Sequence, residues 1–460
     1  MTKIEKLLGN TESLCVECLN RIPAKKISDG RNVYLEKVCP DHGKQRVLIW
    51  RGADTYEEWG SFGEDLGTPK ERITDVVRGC PYDCGICPEH KAATCITVME
   101  VTSRCDLSCS VCFAGSNEKA HYDPDFGVLR GMFTTLFDAV GPCPVQLSGG
   151  EPTVRDDLPQ IAKLGREIGF QHIMVNTNGI RIARDMEYLL ELKRNGVSTI
   201  YLQFDGVTDD IYNRLRGREL IETKHRTLEN CAKAEIGVIL VPTLVPKINK
   251  HQLGDIIQFA KKWMPTVRGI HFQPVSYFGR YFKMPADEDR MTIPDVLEAI
   301  EAQTKGEIRR ENFTPRKRKE SYCAFAGLFV LMEDGKLLAT TNFKYSQSAI
   351  GGLGHPIESP DKHVWRFLNT HWKLVLPERK PIREHKTGWQ KIYERARTHS
   401  LSISCMPFQD VWNIDLDRLQ RCCTHVVTFD KRVIPFCAYY VTDVRGHRLH
   451  QAREIASHVS

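Results

Sequence analysis

From Ile96 to Arg290, short β-rich runs alternate with amphipathic stretches of helical period. The strands are expected at Thr97–Val101, Val145–Leu147, His172–Asn176, Thr199–Phe204, Gly237–Val241 and Gly269–Phe272. The helices are expected at Val128–Val140, Asp157–Ile168, Arg184–Arg194, Glu222–Glu235 and Gln252–Trp263. Each crossover between neighbouring parallel strands needs a helix, so this order predicts an α/β fold with a parallel sheet. Six strands fit an open (β/α)6 partial barrel. The polar, Gly-rich segments SGGEP, NTNG and QFDG fall at strand ends, where α/β folds place their sites.

Cysteine usage divides the rest of the chain. Of 17 cysteines, ten precede residue 113 and four lie between Cys405 and Cys437. No run reaches the ~18 apolar residues of a membrane span. The N-terminus lacks the apolar stretch of a signal peptide, so a cytoplasmic protein is expected. Thiols stay reduced there, and clustered cysteines then point to metal before disulfide. Three regions follow: a Cys-rich metal-binding segment over 1–95, the partial barrel over 96–290, and a C-terminal auxiliary-cluster region over 291–460. The net charge of +6 suits an anionic small ligand and gives no sign of nucleic-acid binding.

Cys105, Cys109 and Cys112 form a CxxxCxxC loop directly after the first barrel strand. Three thiolates at this spacing can hold one [4Fe–4S] cubane and leave its fourth iron open to an outside ligand. Cys80, Cys84 and Cys87 repeat the spacing before the barrel begins. With Cys95 they offer four thiolates, enough for a closed auxiliary cluster or a zinc site. Cys15, Cys18, Cys39 and His42 make a knuckle suited to zinc or a mononuclear iron. Cys323, Cys405, Cys422 and Cys437 are candidates for a further auxiliary cluster, with Cys423 as the alternative to its neighbour. Cys143 and Cys231 read as core thiols.

The CxxxCxxC loop, Phe113 after it and Ser148-Gly149-Gly150-Glu151-Pro152 one βα unit later resemble the radical S-adenosylmethionine (SAM) superfamily. The resemblance implies that the Cys105 loop holds the cluster that reductively cleaves SAM to a 5′-deoxyadenosyl radical. It also implies that Phe113, Gly149, Gly150, Glu151 and Pro152 serve SAM, with the backbone and carboxylate of GGEP meeting its amino group. Asn176, Asn178, Gln203, Asp205 and Asn249 are candidates for cofactor contacts by position, Arg216 a weaker one; Asn and Asp there also suit helix caps.

Stretches outside the barrel extend the likeness: SLCVECLNRIPA, VYLEKVCPDHG, RGCPYDCGICPEHKAATC, HFQPVSYFGRY, FQDVWNIDLDRLQRCC and VIPFCAYY. They are similar to tetraether lipid synthases and to enzymes of the 7,8-dihydropterin C-methylase type. This implies attack on an unactivated C–H carbon, with carbon–carbon bond formation or C-methylation of a lipid or pterin-type molecule. It further implies two auxiliary clusters, a mononuclear metal, a reductant such as ferredoxin or flavodoxin, and room for peripheral membrane contact. Two readings compete: a radical SAM enzyme that modifies a protein or peptide, and a non-catalytic Fe–S scaffold.

Overall fold

The computed structural model describes residues 5–61, 67–116, 122–316, 320–343, 371–375 and 395–450. The N-terminal segment folds into an antiparallel sheet, β1 (Lys6–Leu14), β2 (Arg21–Ser28), β3 (Asn32–Cys39) and β4 (Gly43–Arg51), paired in sequence order. Its short turns bring Cys15, Cys18, Cys39 and His42 to one end.

The barrel strands are β5 (Ile96–Thr102), β6 (Val145–Gly149), β7 (Ile173–Thr177), β8 (Val197–Gln203) and β9 (Gly237–Val241). The two-residue β10 (Thr243–Leu244) and then β11 (Val267–Pro274) follow. β5, β6, β7, β8, β9 and β11 are neighbours in chain order and pair in parallel. Helices at Phe126–Val140, Leu158–Ile168, Met186–Arg194, Ile221–Lys233 and Leu253–Lys262 lie between the strands, within a few residues of their expected bounds. The Asp125 carboxylate caps the first, accepting from Val128 N at 2.9 Å.

The chain after residue 290 continues the same sheet. It adds β12 (Thr314–Pro315), β13 (Phe325–Leu331), β14 (Leu337–Ala339), β15 (Ser400–Cys405), β16 (Thr424–Val427) and β17 (Val433–Pro435). β15 pairs in parallel with β11, and β16 in parallel with β5, so C-terminal strands flank both edges of the barrel. No helix among the described residues is long and apolar enough to cross a membrane.

Strand alternation sorts the side chains into two layers. Met99, Val101, Leu147, Val175, Leu202, Leu240, Ile270 and Ile403 pack into the main apolar core with Leu129, Phe133, Ile161 and Ile257 from the helices. Each such side chain contributes about 1.5–3 kcal/mol when fully buried. The opposite strand faces carry Glu100, Gln146, Ser148, Asn176, Tyr201, Gln203, His271 and Ser404. Polar side chains thus line much of the barrel interior.

Candidate active site and metal-binding groups

The Cys105–Cys112 loop leaves β5 with little regular structure of its own, and distant elements fix it. Ser110 N donates to Leu215 O at 3.1 Å and Ser110 Oγ to Arg214 O at 3.0 Å. Arg216 Nη1 donates to Val111 O at 3.2 Å. From beyond β11, Cys112 and Arg280 exchange backbone bonds of 2.9 Å, and Arg280 Nε donates to Cys109 O at 2.6 Å. Gly279 permits this approach: its φ is +64°, and a Cβ there would meet Cys112 O at 2.4 Å. The three thiols pack with Leu107, Ile180, Tyr212 and Leu220. Burial pushes Cys105 up to about 12. Arg216 and Lys224 place positive charge near Cys109. Three thiols in one packed cluster beside the buried Arg216 guanidinium suit an anionic iron–sulfur cluster, and these thiols are the groups that would hold it.

GGEP meets the start of this loop. Gly150 N donates to Thr102 O at 2.9 Å and Glu151 N to Arg104 O at 2.8 Å. A Cβ on Gly149 or Gly150 would sit 2.1 Å from those same carbonyls. Pro152 opens a short 3-10 turn, Pro152–Val154. Glu151 is buried and its carboxyl is raised by that burial. Its Oε1 accepts from Thr153 N, Thr153 Oγ1 and Thr177 Oγ1 at 3.0, 2.6 and 2.8 Å, and its Oε2 from Asn178 N at 2.6 Å. The carboxylate therefore fastens the end of β6 to the end of β7.

Other expected cofactor groups also bind the chain itself. Asn178 Nδ2 donates to Asp106 Oδ1 at 2.6 Å, joining NTNG to the cysteine loop. Asp205 forms a buried, two-point ion pair with Arg216, 2.6 Å to Nε and 2.9 Å to Nη2, and accepts from Thr243 N at 3.0 Å. Asn249 accepts from Val245 N and donates to Asp205 O and Thr243 O. Gln203 bonds Asp205 and accepts from Lys224 Nζ at 3.0 Å. Asn176 differs. Its Nδ2 lies 3.3 Å from both Gln146 Oε1 and Ser148 Oγ, while its buried Oδ1 has no donor among the described residues. Phe113 packs against Phe436 and Tyr440, ring centroids 5.7 and 4.9 Å away.

Lys224 was not singled out by spacing. It is fully buried, donates to Asn178 O at 2.6 Å, and is lowered to about 7 by burial. Its signal was available: it shares one helix face with buried Thr227, Leu228 and Cys231, where a lysine is out of place.

The ligand atoms of Cys15, Cys18, Cys39 and His42 all lie within 4.8 Å of one another. His42 Nδ1 is 3.6 Å from Cys15 Sγ and 3.3 Å from Cys39 Sγ, and Cys18 Sγ is 4.0 Å from Cys39 Sγ. A tetrahedron with metal–sulfur bonds of about 2.3 Å has edges of about 3.8 Å, so these donors already fit one ion. Burial pushes Cys15 up, but backbone N–H groups of Cys18 and Glu17 outweigh it and bring it to about 7.

Cys80, Cys84 and Cys87 crowd together. The Cys80 thiol, then burial, then Cys87 raise Cys84 well above its usual value. Asp83 Oδ2 accepts backbone N–H groups of Val77, Arg78 and Gly79, which ties the loop together. Cys95 lies near Cys143, and its N–H donates to Cys423 O at 2.8 Å. At the other end, burial and then Cys422 and Cys323 raise Cys437, with Arg418 among these thiols and 3.3 Å from Cys323 Sγ. Cys405 lies in the apolar core between sheet and helices, shifted by burial alone.

Residues 99–260 match the model of the radical SAM superfamily, and residues 7–51 match the HMPTM N-terminal zinc ribbon domain. The chain is 37% identical to a 7,8-dihydro-6-hydroxymethylpterin dimethyltransferase of Methanocaldococcus jannaschii, over 93% of this chain and 92% of that protein. The chain belongs to the radical SAM superfamily. Enzymes of this superfamily use a [4Fe–4S] cluster and SAM. A Fe-coproporphyrin III synthase of Methanosarcina barkeri is 31% identical over 44% of this chain and 51% of its own. Streptococcus suis SuiB bound to S-adenosylmethionine superposes on 46% of this chain and 47% of its own at 17% identity, with a TM-score of 0.39, too partial to bear on function.

Proposed function

We propose that this radical SAM enzyme is a C-methyltransferase whose substrate is a pterin-type small molecule. The polar barrel interior carries this reading. Glu100, Gln146, Asn176, Tyr201, His271 and Ser404 lie on the inward strand faces. His271 Nδ1 and Ser404 Oγ are 2.8 Å apart, and the Tyr201 and His271 rings are 5.9 Å apart. An alkyl chain would leave the buried Asn176 Oδ1, which has no donor among the described residues, without a partner, at about 1–3 kcal/mol. A heterocycle with a ring N–H or an amino group satisfies it. The relative that matches nearly the whole chain acts on such a pterin.

In this reading Cys105, Cys109 and Cys112 hold the SAM cluster, which when bound supplies the electron for reductive cleavage of SAM. Arg216, Arg280 and Asn178 hold its loop in place. Glu151 draws the GGEP backbone against that loop. Cys80, Cys84 and Cys87, and Cys323, Cys422 and Cys437, contribute to auxiliary clusters. The 7–51 ribbon holds one zinc or iron ion. A cytoplasmic ferredoxin or flavodoxin delivers electrons.

The test is anaerobic reconstitution with iron and sulfide, then incubation with SAM, a strong reductant, a one-carbon donor and 7,8-dihydro-6-hydroxymethylpterin. The expected result is 5′-deoxyadenosine together with a pterin heavier by one or two methyl groups. Methylated lipid or protein with unchanged pterin would reject the proposed substrate. Cys105→Ala should abolish 5′-deoxyadenosine.

A further inference from the structure

Glu100 is the only acidic residue in β5–β9, β10, β11, β15 and β16. It shares its strand face with Val98, which belongs to the buried cluster of Phe278, Phe436 and Tyr440 rather than to the main core under the helices. A carboxylate in such a place ordinarily needs a cation. Among the described residues none pairs with it. Its partners are two phenols: Tyr440 Oη donates to Oε1 at 2.6 Å and Tyr439 Oη to Oε2 at 2.9 Å.

Its surroundings belong to the reaction centre. The Tyr440 ring lies 4.9 Å from Phe113, the residue after Cys112, and 6.0 Å from Phe278, with which it is stacked. Tyr439 and Tyr440 share one short helix with Cys437. Glu100 thus stands between the SAM-cluster loop and the C-terminal cysteines. It is only partly buried.

We propose that Glu100, oriented by Tyr439 and Tyr440, anchors the substrate through a cyclic amidine edge of the 2-amino-4-oxopyrimidine kind. This rests on the pterin-type reading above and names the group that recognises it. A carboxylate has about four acceptor sites on its two oxygens. One tyrosine occupies one site on each oxygen, leaving one free on each. Two parallel N–H donors fit such a pair of sites, as they do in guanidinium–carboxylate pairs.

The experiment is equilibrium binding to the anaerobically reconstituted holoenzyme. The ligands are 7,8-dihydro-6-hydroxymethylpterin and its 2-deamino analogue. The proteins are wild type, Glu100→Gln and Tyr440→Phe. SAM affinity and cluster absorbance report that each variant is intact. Wild type should prefer the pterin over the analogue by roughly 100-fold or more, since the analogue leaves a charged acceptor of the site unmet. Glu100→Gln should lose that preference and bind the pterin about 100-fold more weakly, with SAM affinity unchanged. Tyr440→Phe should weaken pterin binding roughly tenfold. Unchanged pterin affinity in Glu100→Gln, or equal binding of both ligands by wild type, overturns the anchor but not the substrate. A wild type that binds neither ligand overturns the substrate reading and the anchor with it.

Discussion

Asp205→Asn tests whether the QFDG strand end supports the cysteine loop. Asp205 is fully buried and Arg216 is 8% exposed, so little solvent screens the pair. Replacing Asp205 leaves Arg216 as a buried guanidinium without its carboxylate, held by Val111 O at 3.2 Å, Thr243 Oγ1 at 3.1 Å and the neighbouring Cys109 thiol. Breaking a buried ion pair on one side costs about 3–5 kcal/mol. At about 1.4 kcal/mol per factor of ten, the unfolding constant should rise by roughly two to four powers of ten. The assay is urea unfolding of cluster-free protein, with iron content after reconstitution as a second readout. Arg216→Met added to Asp205→Asn should recover much of the stability, because no orphan charge remains. It should not recover full iron content, because the bond to Val111 O is lost. A stability for Asp205→Asn within about 1 kcal/mol of wild type would refute the reasoning.

Two further outcomes follow from the structure. Cys39→Ser should cost the ribbon its tightly bound metal and open residues 7–51 to proteolysis, because a structural metal site contributes its binding energy to folding; retention of one equivalent of zinc or iron there would contradict the ligand set. His172 is lowered from 6.5 to about 4 by burial, then by the charges of Lys373 and Arg166. The unfolded chain therefore takes up the proton first as pH falls, and stability present above about 6.5 is lost toward pH 4, about 2 kcal/mol of it between pH 7 and pH 5. His172→Gln should flatten that slope in urea titrations at the two pH values, and a parallel slope would exclude it.

Much of the barrel was legible because its signals are local. Alternating apolar residues mark β5, β6, β7, β8, β9 and β11 wherever they sit in space, and six expected strands match six observed ones. The ribbon sheet β1–β4 was less legible: its strands mix Lys and Arg with Val, Ile and Leu, and the cysteines stood out more than the strand pattern. Nor could the joining of β15 and β16 to the barrel edges be read, since their partners β11 and β5 are more than a hundred residues away. Among site residues, resemblance marked Glu151 and position marked Asp205 and Asn249 as cofactor groups, and the structure adds the partners that each has within the chain. Residue type says that a side chain needs a partner and is silent on which partner.

By itself, then, the sequence determined the α/β alternation, the cysteine triplet after β5 and the glycine-rich end of β6. Each depends on neighbours within a few residues. Only the tertiary structure decided which faces line the barrel, how Arg216 and Arg280 clamp the cysteine loop, and which thiols crowd together. It alone brought Glu100 to Tyr439 and Tyr440, 339 and 340 positions away. Hydrogen bonds and charges act over a few ångströms of space, and the folding of the strands into one sheet sets those distances.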